Sequence, residues 1–282
     1  MSLIISTLTW NGKEHLEKLY PTLKAALEKI KEPSFWYIRD NNSNDGTKEL
    51  VESWNEDFIR YHYIDHNNDN FSKGNNWVVD KANEEIGIDR NNDFILLLNN
   101  DITIADLFSL FNMYHIMKSD RSVGIVGARL IYPSVNNSKF LQHAGVIFSP
   151  RYGYNPYHYR HQEQDDENSR KNREFQCVTG ACMLVRASCW FNTRTGGMDE
   201  RFWWAFDDVN MNLDIKHVQG MKVVYCGLTN IIHHESPSLK KNGVNRQYMK
   251  HNVMLYQKLW RKIIAVDHYE YMNNKNHMLY KY

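Results

Sequence analysis

The sequence predicts an α/β fold, a mostly parallel sheet with helices on both faces. Three observations predict it. Short apolar runs alternate with segments of helical spacing through the first hundred residues. Such a succession of strand and helix builds βαβ units and a parallel sheet. Most of the runs also end in loops dense in Asn, Asp and Gly, at the strand ends where sheets of this kind hold ligands.

Residues 3–8, "LIISTL", read as a buried strand that "TWNG" breaks. Over residues 13–31, Leu16, Leu19, Leu23, Leu27 and Ile30 recur at three or four, which is helical spacing. Pro21 within that pattern predicts a kink or a late start. "FWYIRD" (35–40) is a second strand, stopped by the turn formers "NNSNDGT", and Leu50, Val51 and Trp54 resume a helix. A third strand, "IRYHYI" (59–64), leads through a polar loop to a helix from about Trp77 to Ile86. "DFILLLNND" (93–101) then places five apolar residues, Phe94 to Leu98, before Asn99, Asn100 and Asp101.

The second half is less regular. "VGIVGARLIYP" (123–133) and "FQCVTGACMLVR" (175–186) are strand-like. Residues 151–173 have almost no aliphatic content and read as a long mobile loop or lid. "GGMDERFWWAFDDVNMNLDIKHVQG" reads as a loop then a helix, and "KVVYC" as a strand ending near "IIHH". The last residues, with Leu255, Leu259 and Ile263, form a helical extension. The expected division is 1–235, split at 101 into two halves, followed by an extension over 236–282.

The 34 basic and 33 acidic residues nearly cancel, so charge forces neither a nucleic-acid nor an anionic-membrane partner. Four cysteines (Cys177, Cys182, Cys189, Cys226) lack C-x-x-C spacing and read as buried thiols of a reducing compartment. No run approaches the ~18–20 apolar residues that span a bilayer. A cytoplasmic protein without stable membrane insertion is the expectation.

Several polar clusters could carry chemistry. An acid after a buried parallel strand, such as Asp101, can hold a divalent cation that grips a diphosphate. "RDNNSNDGT" (39–47) can face a nucleotide base, or can be an Asx-rich turn. "NFSKGNN" (70–76) offers Gly74, Lys73 and a helix start to phosphate, or is an ordinary cap. Asp207 and Asp208 stand beside aromatics, where one acid can act as a general base or simply cap a helix. His233 and His234 can ligate a metal or remain polar surface.

In order, "IISTLTWNGKEHL", "IRDNNSNDGT", "NFSKGNNWVVDKA", "FILLLNNDI", "LQHAGV", "VTGACMLVRASCW", "GGMDERFWWAFDDVNMNLDIKHVQGMKVVY" and "IIHH" resemble the family 2 glycosyltransferases, in particular the rhamnosyltransferase-like branch. The resemblance covers residues 2–236. It implies a GT-A type, Rossmann-like sheet and an inverting, metal-dependent transfer from a nucleoside-diphosphate sugar. The acceptor implied is a hydroxyl of a glycan or lipid-linked glycan, with a modified DNA base as another option. Thr9, Asn11, Asp40 and Asn41 would line the base pocket. Gly74 and Asn76 would sit beside ribose or phosphate, and "TGA" (179–181) near the donor sugar. Asn99, Asn100 and Asp101 take the D-x-D position, with Asp101 and His233 as ligands of Mn²⁺ or Mg²⁺ and Asp208 as catalytic base. Asn99 replaces the motif's first acid, which places more of the metal site on His233. Met198, Asp207 and Asn210 replace the family's Phe, Glu and Asp. Two rivals are a nucleotidyltransferase, which would need a Gly-rich basic loop after the first strand, and a non-catalytic sugar-nucleotide-binding protein.

Overall fold

The computed structural model describes residues 1–65, 69–134, 138–203, 205–235 and 246–281. Four parallel strands, β1 (Leu3–Thr9), β2 (Ser34–Asp40), β3 (Ile59–Tyr63) and β4 (Phe94–Leu98), lie in the order β3-β2-β1-β4. The helices between them are α1 (Lys13–Ile30), α2 (Thr47–Ser53) and α3 (Phe71–Ile86). The sheet continues from β4 through antiparallel β11 (Cys182–Arg186) to β6 (Val123–Ile131), β12 (Lys222–His233) and β10 (Arg173–Phe175). Of these eight strands only β11 and β10 run reversed, so the sheet is mostly parallel.

Both faces are covered. On one, Leu16, Leu19 and Leu23 of α1 pack with Met113 and Met117 of α4 (Ser109–Ser119). On the other, Val78, Val79 and Ala82 of α3 pack with Ile95, Leu97 and Met183. Full burial of each such aliphatic side chain stabilises the fold by ~1.5–3 kcal/mol. The four cysteines are all buried free thiols. Among the described residues no helix is long and apolar enough to cross a membrane.

Three elements differ from the sequence expectation. α1 starts at Lys13 and runs through Pro21, which sits on its exposed side while Leu16, Leu19, Leu23, Ala26 and Ile30 hold the other face. α3 begins at Phe71, six residues before Trp77, because the Asn70 side chain caps it by accepting from Lys73 N at 2.7 Å. "NFSKGNN" is thus the first turns of a helix.

The third is the 151–173 segment, which is tied down rather than loose. β9 (Pro156–His158) pairs with β8 (Val146–Phe148). Asp165 forms a buried ion pair with Arg129 at 2.6 Å, and Tyr225 Oη donates to the Ser169 carbonyl at 2.6 Å. Polar bonds replace the missing aliphatic contacts. The chain ends in α7 (Arg246–Trp260) and α8 (His268–Asn273), which fold back on the sheet: Tyr271 stacks on Phe175 at 4.4 Å, and Tyr280 Oη donates to Asp120.

Candidate active site

Register brings the strand ends together. β1 pairs β2 up to Thr9 opposite Asp40, and Asn41 N donates to Thr9 O at 2.8 Å. β1 also pairs β4, and Asn100 Nδ2 donates to Thr9 Oγ1 at 3.0 Å. Gly12 lies against this contact. A Cβ there would come within 2.2 Å of Thr9 Oγ1 and 2.5 Å of Asn100 Nδ2, so any side chain would displace this contact. Asn11 adopts a left-handed φ of 48°, and its Oδ1 accepts from Asn44 N, which joins the β1 and β2 loops. Asp40 is buried, and its carboxylate accepts from Ser43 N at 2.8 Å and Tyr61 Oη at 2.5 Å. Its charge shapes the loop beside the crevice.

Gly74 and Asn76 both make contacts within the protein. Gly74 lets α3 close on Leu8 and Arg39, where an added Cβ would meet Leu8 Cδ1 at 2.5 Å. Asn76 accepts from Met198 N at 2.8 Å and donates to Met198 O and Glu200 Oε1. Its amide anchors the loop before Asp207. Lys73 pairs with Asp69 at 2.9 Å.

Asp101 and His233 meet although 132 positions separate them. The cause is local topology. β5 (Ile102–Ile104) follows Asp101 at once and pairs antiparallel with the end of β12, His233 opposite Ile102. His233 Nε2 lies 3.1 Å from Asp101 Oδ1, and Asn99 Nδ2 is 3.4 Å from the same nitrogen. His233 Nδ1 is 2.6 Å from Gln142 Oε1 on β7 (Leu141–His143). With Nδ1–H donated to that oxygen, Nε2 turns a lone pair toward a carboxylate oxygen. In that arrangement a cation can be shared between the nitrogen and the carboxylate oxygen. An oxygen and an imidazole donor suit Mn²⁺ or Mg²⁺, with remaining positions open to water or phosphate oxygens. Among the described residues no group of three or more His, Cys, Asp or Glu is arranged to hold a metal.

Asp207 and Asp208 open α6 (Asp207–Leu213). Asp208 Oδ2 accepts from Gly180 N at 2.8 Å and Oδ1 from Val209 N at 2.7 Å. Burial raises the Asp208 carboxyl, and those backbone N–H groups work against the rise. Burial and the charge of Asp208 together push Asp207 up to about 7. α6 itself is held from the C-terminal segment: Trp260 Nε1 donates to Asn210 Oδ1 at 2.8 Å.

A further chain of contacts reaches Asp208, and no spacing in the sequence marks it. Thr179 N donates to His143 Nε2 at 3.3 Å, and His143 Nδ1 is 2.8 Å from His158 Nδ1. A backbone N–H only donates, so Nε2 of His143 is the unprotonated nitrogen. Its Nδ1 then carries the hydrogen and donates to His158. Burial keeps both rings neutral, His143 well below the usual imidazole range and His158 at about 4. Thr179 and Gly180 are adjacent, so His143 steadies the backbone that holds Asp208. Gln142 and His143, both within "LQHAGV", thus support His233 and the backbone beside Asp208 respectively.

The solved structures that resemble this one share its fold at low identity. The crystal structure of GalNAc-T7 with UDP, GalNAc and Mn²⁺ aligns with a TM-score of 0.63 and 11% identity, over 91% of this chain and 47% of that one. The mannosyltransferase PcManGT of Pyrobaculum calidifontis, in complex with GDP-Man and Mn²⁺, gives 0.58 and 13%, over 98% and 68%. TarS 1–349 of S. aureus in complex with UDP-GlcNAc gives 0.59 and 12%, over 98% and 72%. They show an α/β fold of the GT-A type. The O-antigen biosynthesis protein RfbC of Myxococcus xanthus is 28% identical over 240 residues, which is 82% of this chain but only 17% of RfbC. The family described as glycosyl transferase family 2 matches residues 5–190, from the first strand to beyond β11, and the chain belongs to that family.

Proposed function

We propose that the chain moves a sugar from a nucleoside-diphosphate sugar to an acceptor hydroxyl in a single inverting displacement. The observation that carries this reading is the pairing of His233 with Asp101, at the end of β4 where Asn99 N donates to Ala181 O, next to the Gly180 that cradles Asp208. One pair suits a diphosphate-bound cation, and the other group suits proton removal.

The β1 and β2 loops, through Thr9, Asn11 and Asn41, and Asn99 and Asn100 after β4, would hold the nucleotide and fix the donor. Asp101 and His233 would hold Mn²⁺ or Mg²⁺, which when bound offsets the charge of the departing diphosphate. Asp208 accepts the acceptor's proton as its oxygen bonds to the anomeric carbon and the bond to the diphosphate breaks. Fixed placement of the two substrates lowers the barrier further. Attack from the face opposite the leaving group inverts the anomeric centre. The complexes of the structural relatives with UDP-GlcNAc and GDP-Man support a nucleotide-sugar donor. An acceptor on a glycan or lipid-linked glycan agrees with the RfbC relative. Residues 1–101 would serve the donor, and 102–235 the acceptor and the chemistry. Four buried free thiols suit a reducing compartment, the cytoplasm.

The test is a thermal-shift screen of UDP-, GDP- and dTDP-sugars with Mn²⁺, followed by donor hydrolysis. A ligand at 100 times its Kd stabilises by ~2.7 kcal/mol. A metal-dependent shift is expected, and His233→Ala should raise the Mn²⁺ concentration required for hydrolysis. A Mn²⁺ titration unchanged by His233→Ala would remove that residue from the metal site.

A further inference from the structure

One surface, on the loop that leads into α6, has no task in donor binding or proton removal. Trp203 and Tyr248 stack with centroids 5.3 Å apart and planes inclined by 13°. Both remain exposed, at 36% and 38%. With Arg201, His251 and Leu255 they line an open concavity of about 600 Å³. That volume falls within the ~300–1,000 Å³ of small-molecule sites.

The concavity is built by two distant stretches: the loop that enters Asp207, and α7. Asn252, fully buried on α7, joins them. Its Oδ1 accepts from Trp203 N at 3.2 Å, and its Nδ2 donates to the carbonyls of Trp203 and Ala205. Phe206 follows in a left-handed conformation, φ 69°, and packs on Tyr256 at 5.0 Å between centroids. The Trp203 backbone is therefore fixed, five positions before Asp208.

The chemistry of the lining selects an occupant. An aromatic face carries partial negative charge. It suits the C–H face of a pyranose, whose hydroxyls then point outward to the rim. The Arg201 guanidinium is bound by both Asp199 oxygens, at 2.8 and 2.6 Å, which offsets its charge and leaves its remaining N–H groups for neutral hydroxyls at the rim. A broad apolar tail would gain from the rings but has no hydroxyl to offer to the acid that follows Trp203 by five positions.

We propose that Trp203 and Tyr248 form an acceptor subsite that packs the C–H face of a pyranose ring, which makes the acceptor a glycan. The proposal rests on the transfer reading of Asp208. It also gives the C-terminal helix α7, outside the family match, the task of building the acceptor side.

The experiment is saturation-transfer NMR on the full chain with methyl glycopyranosides of the gluco, galacto, manno and rhamno series. In parallel, the Mn²⁺-dependent thermal shift with nucleotide-sugars reports the donor site and the fold. The expected result is saturation of the ring C–H protons of at least one glycoside, lost in Trp203→Ala and kept in part by Trp203→Tyr, while the donor shift persists in both. Tyr248→Ser, at an exposed helix position, should weaken the same signal. Saturation unchanged in Trp203→Ala would overturn the proposal. So would donor binding with no glycoside signal in the native chain, which leaves the transfer reading intact. Binding to phosphatidylcholine vesicles in place of glycosides would overturn it in favour of a lipid surface. Absence of any donor shift in the native chain would remove the transfer reading and the subsite together.

Discussion

Replacing His143 with alanine should slow chemistry without weakening donor binding. In the native protein His143 Nε2 accepts from Thr179 N at 3.3 Å, and the next residue, Gly180, gives its N–H to Asp208 at 2.8 Å. Alanine removes the acceptor and opens a space in a fully buried position. An unpaired buried N–H costs about 1–3 kcal/mol. The 179–180 backbone can escape that cost only by moving, and it then carries Asp208 with it. A misplacement of about 1 Å costs on the order of 10²-fold in rate. That is a large part of the ~10²–10⁴-fold that a general base contributes. The assay is metal-dependent hydrolysis of the best-binding donor at saturation, where water replaces the acceptor hydroxyl, with urea unfolding and donor thermal shift on the same samples. The expected outcome is a fall in kcat of about 10²-fold with unchanged donor affinity. His143→Gln, which can present an amide oxygen, should recover part of it. An unchanged kcat beside a fall in stability would reduce His143 to a packing residue and refute the reasoning.

Two further outcomes follow. Asp208 acts as a base only in its ionised form, and burial raises its carboxyl above the ordinary carboxylate range. The hydrolysis rate should therefore rise with pH as Asp208 ionises. Asp207, pushed up to about 7 by burial and by the charge of Asp208, still holds its proton at that stage, so Asp207→Asn should leave the rise in place; a rise displaced in that variant would assign it to Asp207. Asp165→Ala leaves Arg129 buried without its partner at 2.6 Å. Breaking such a pair costs about 3–5 kcal/mol, which should appear in urea unfolding, and an effect below about 1 kcal/mol, the scale of an exposed pair, would show the 151–173 segment to be held by other contacts.

Much of the fold is legible because the first four strands and the helices between them carry their own patterns. "LIISTL", "FWYIRD", "IRYHYI" and "FILLL" are all strands in the structure. Where hydrogen bonds rather than apolar periodicity decide, the sequence is silent. The first turns of α3 hold Ser72, Lys73 and Gly74, and only the Asn70 cap marks their start. The 151–173 segment has no aliphatic pattern, and its order comes from Arg129 and Tyr225, which are far away in the chain. The candidate site divides in the same way. Asp101, Asp208 and His233 stand out beside strand and helix ends. Gln142, His143 and His158 lie on three-residue strands, and their alignment depends on pairings that no spacing encodes. Asn76 reads as a phosphate-side residue in the sequence, yet its amide binds Met198, 122 positions on.

The account's central claim is that Asp208 removes the proton of the attacking hydroxyl. The most direct measurement compares Asp208→Asn with the native chain in donor affinity and in donor turnover. The amide keeps the shape of the side chain and its place beside Gly180 but cannot take up the proton. The account predicts unchanged donor affinity and a loss of turnover of about 10²–10⁴-fold. Turnover close to that of the native chain would contradict it.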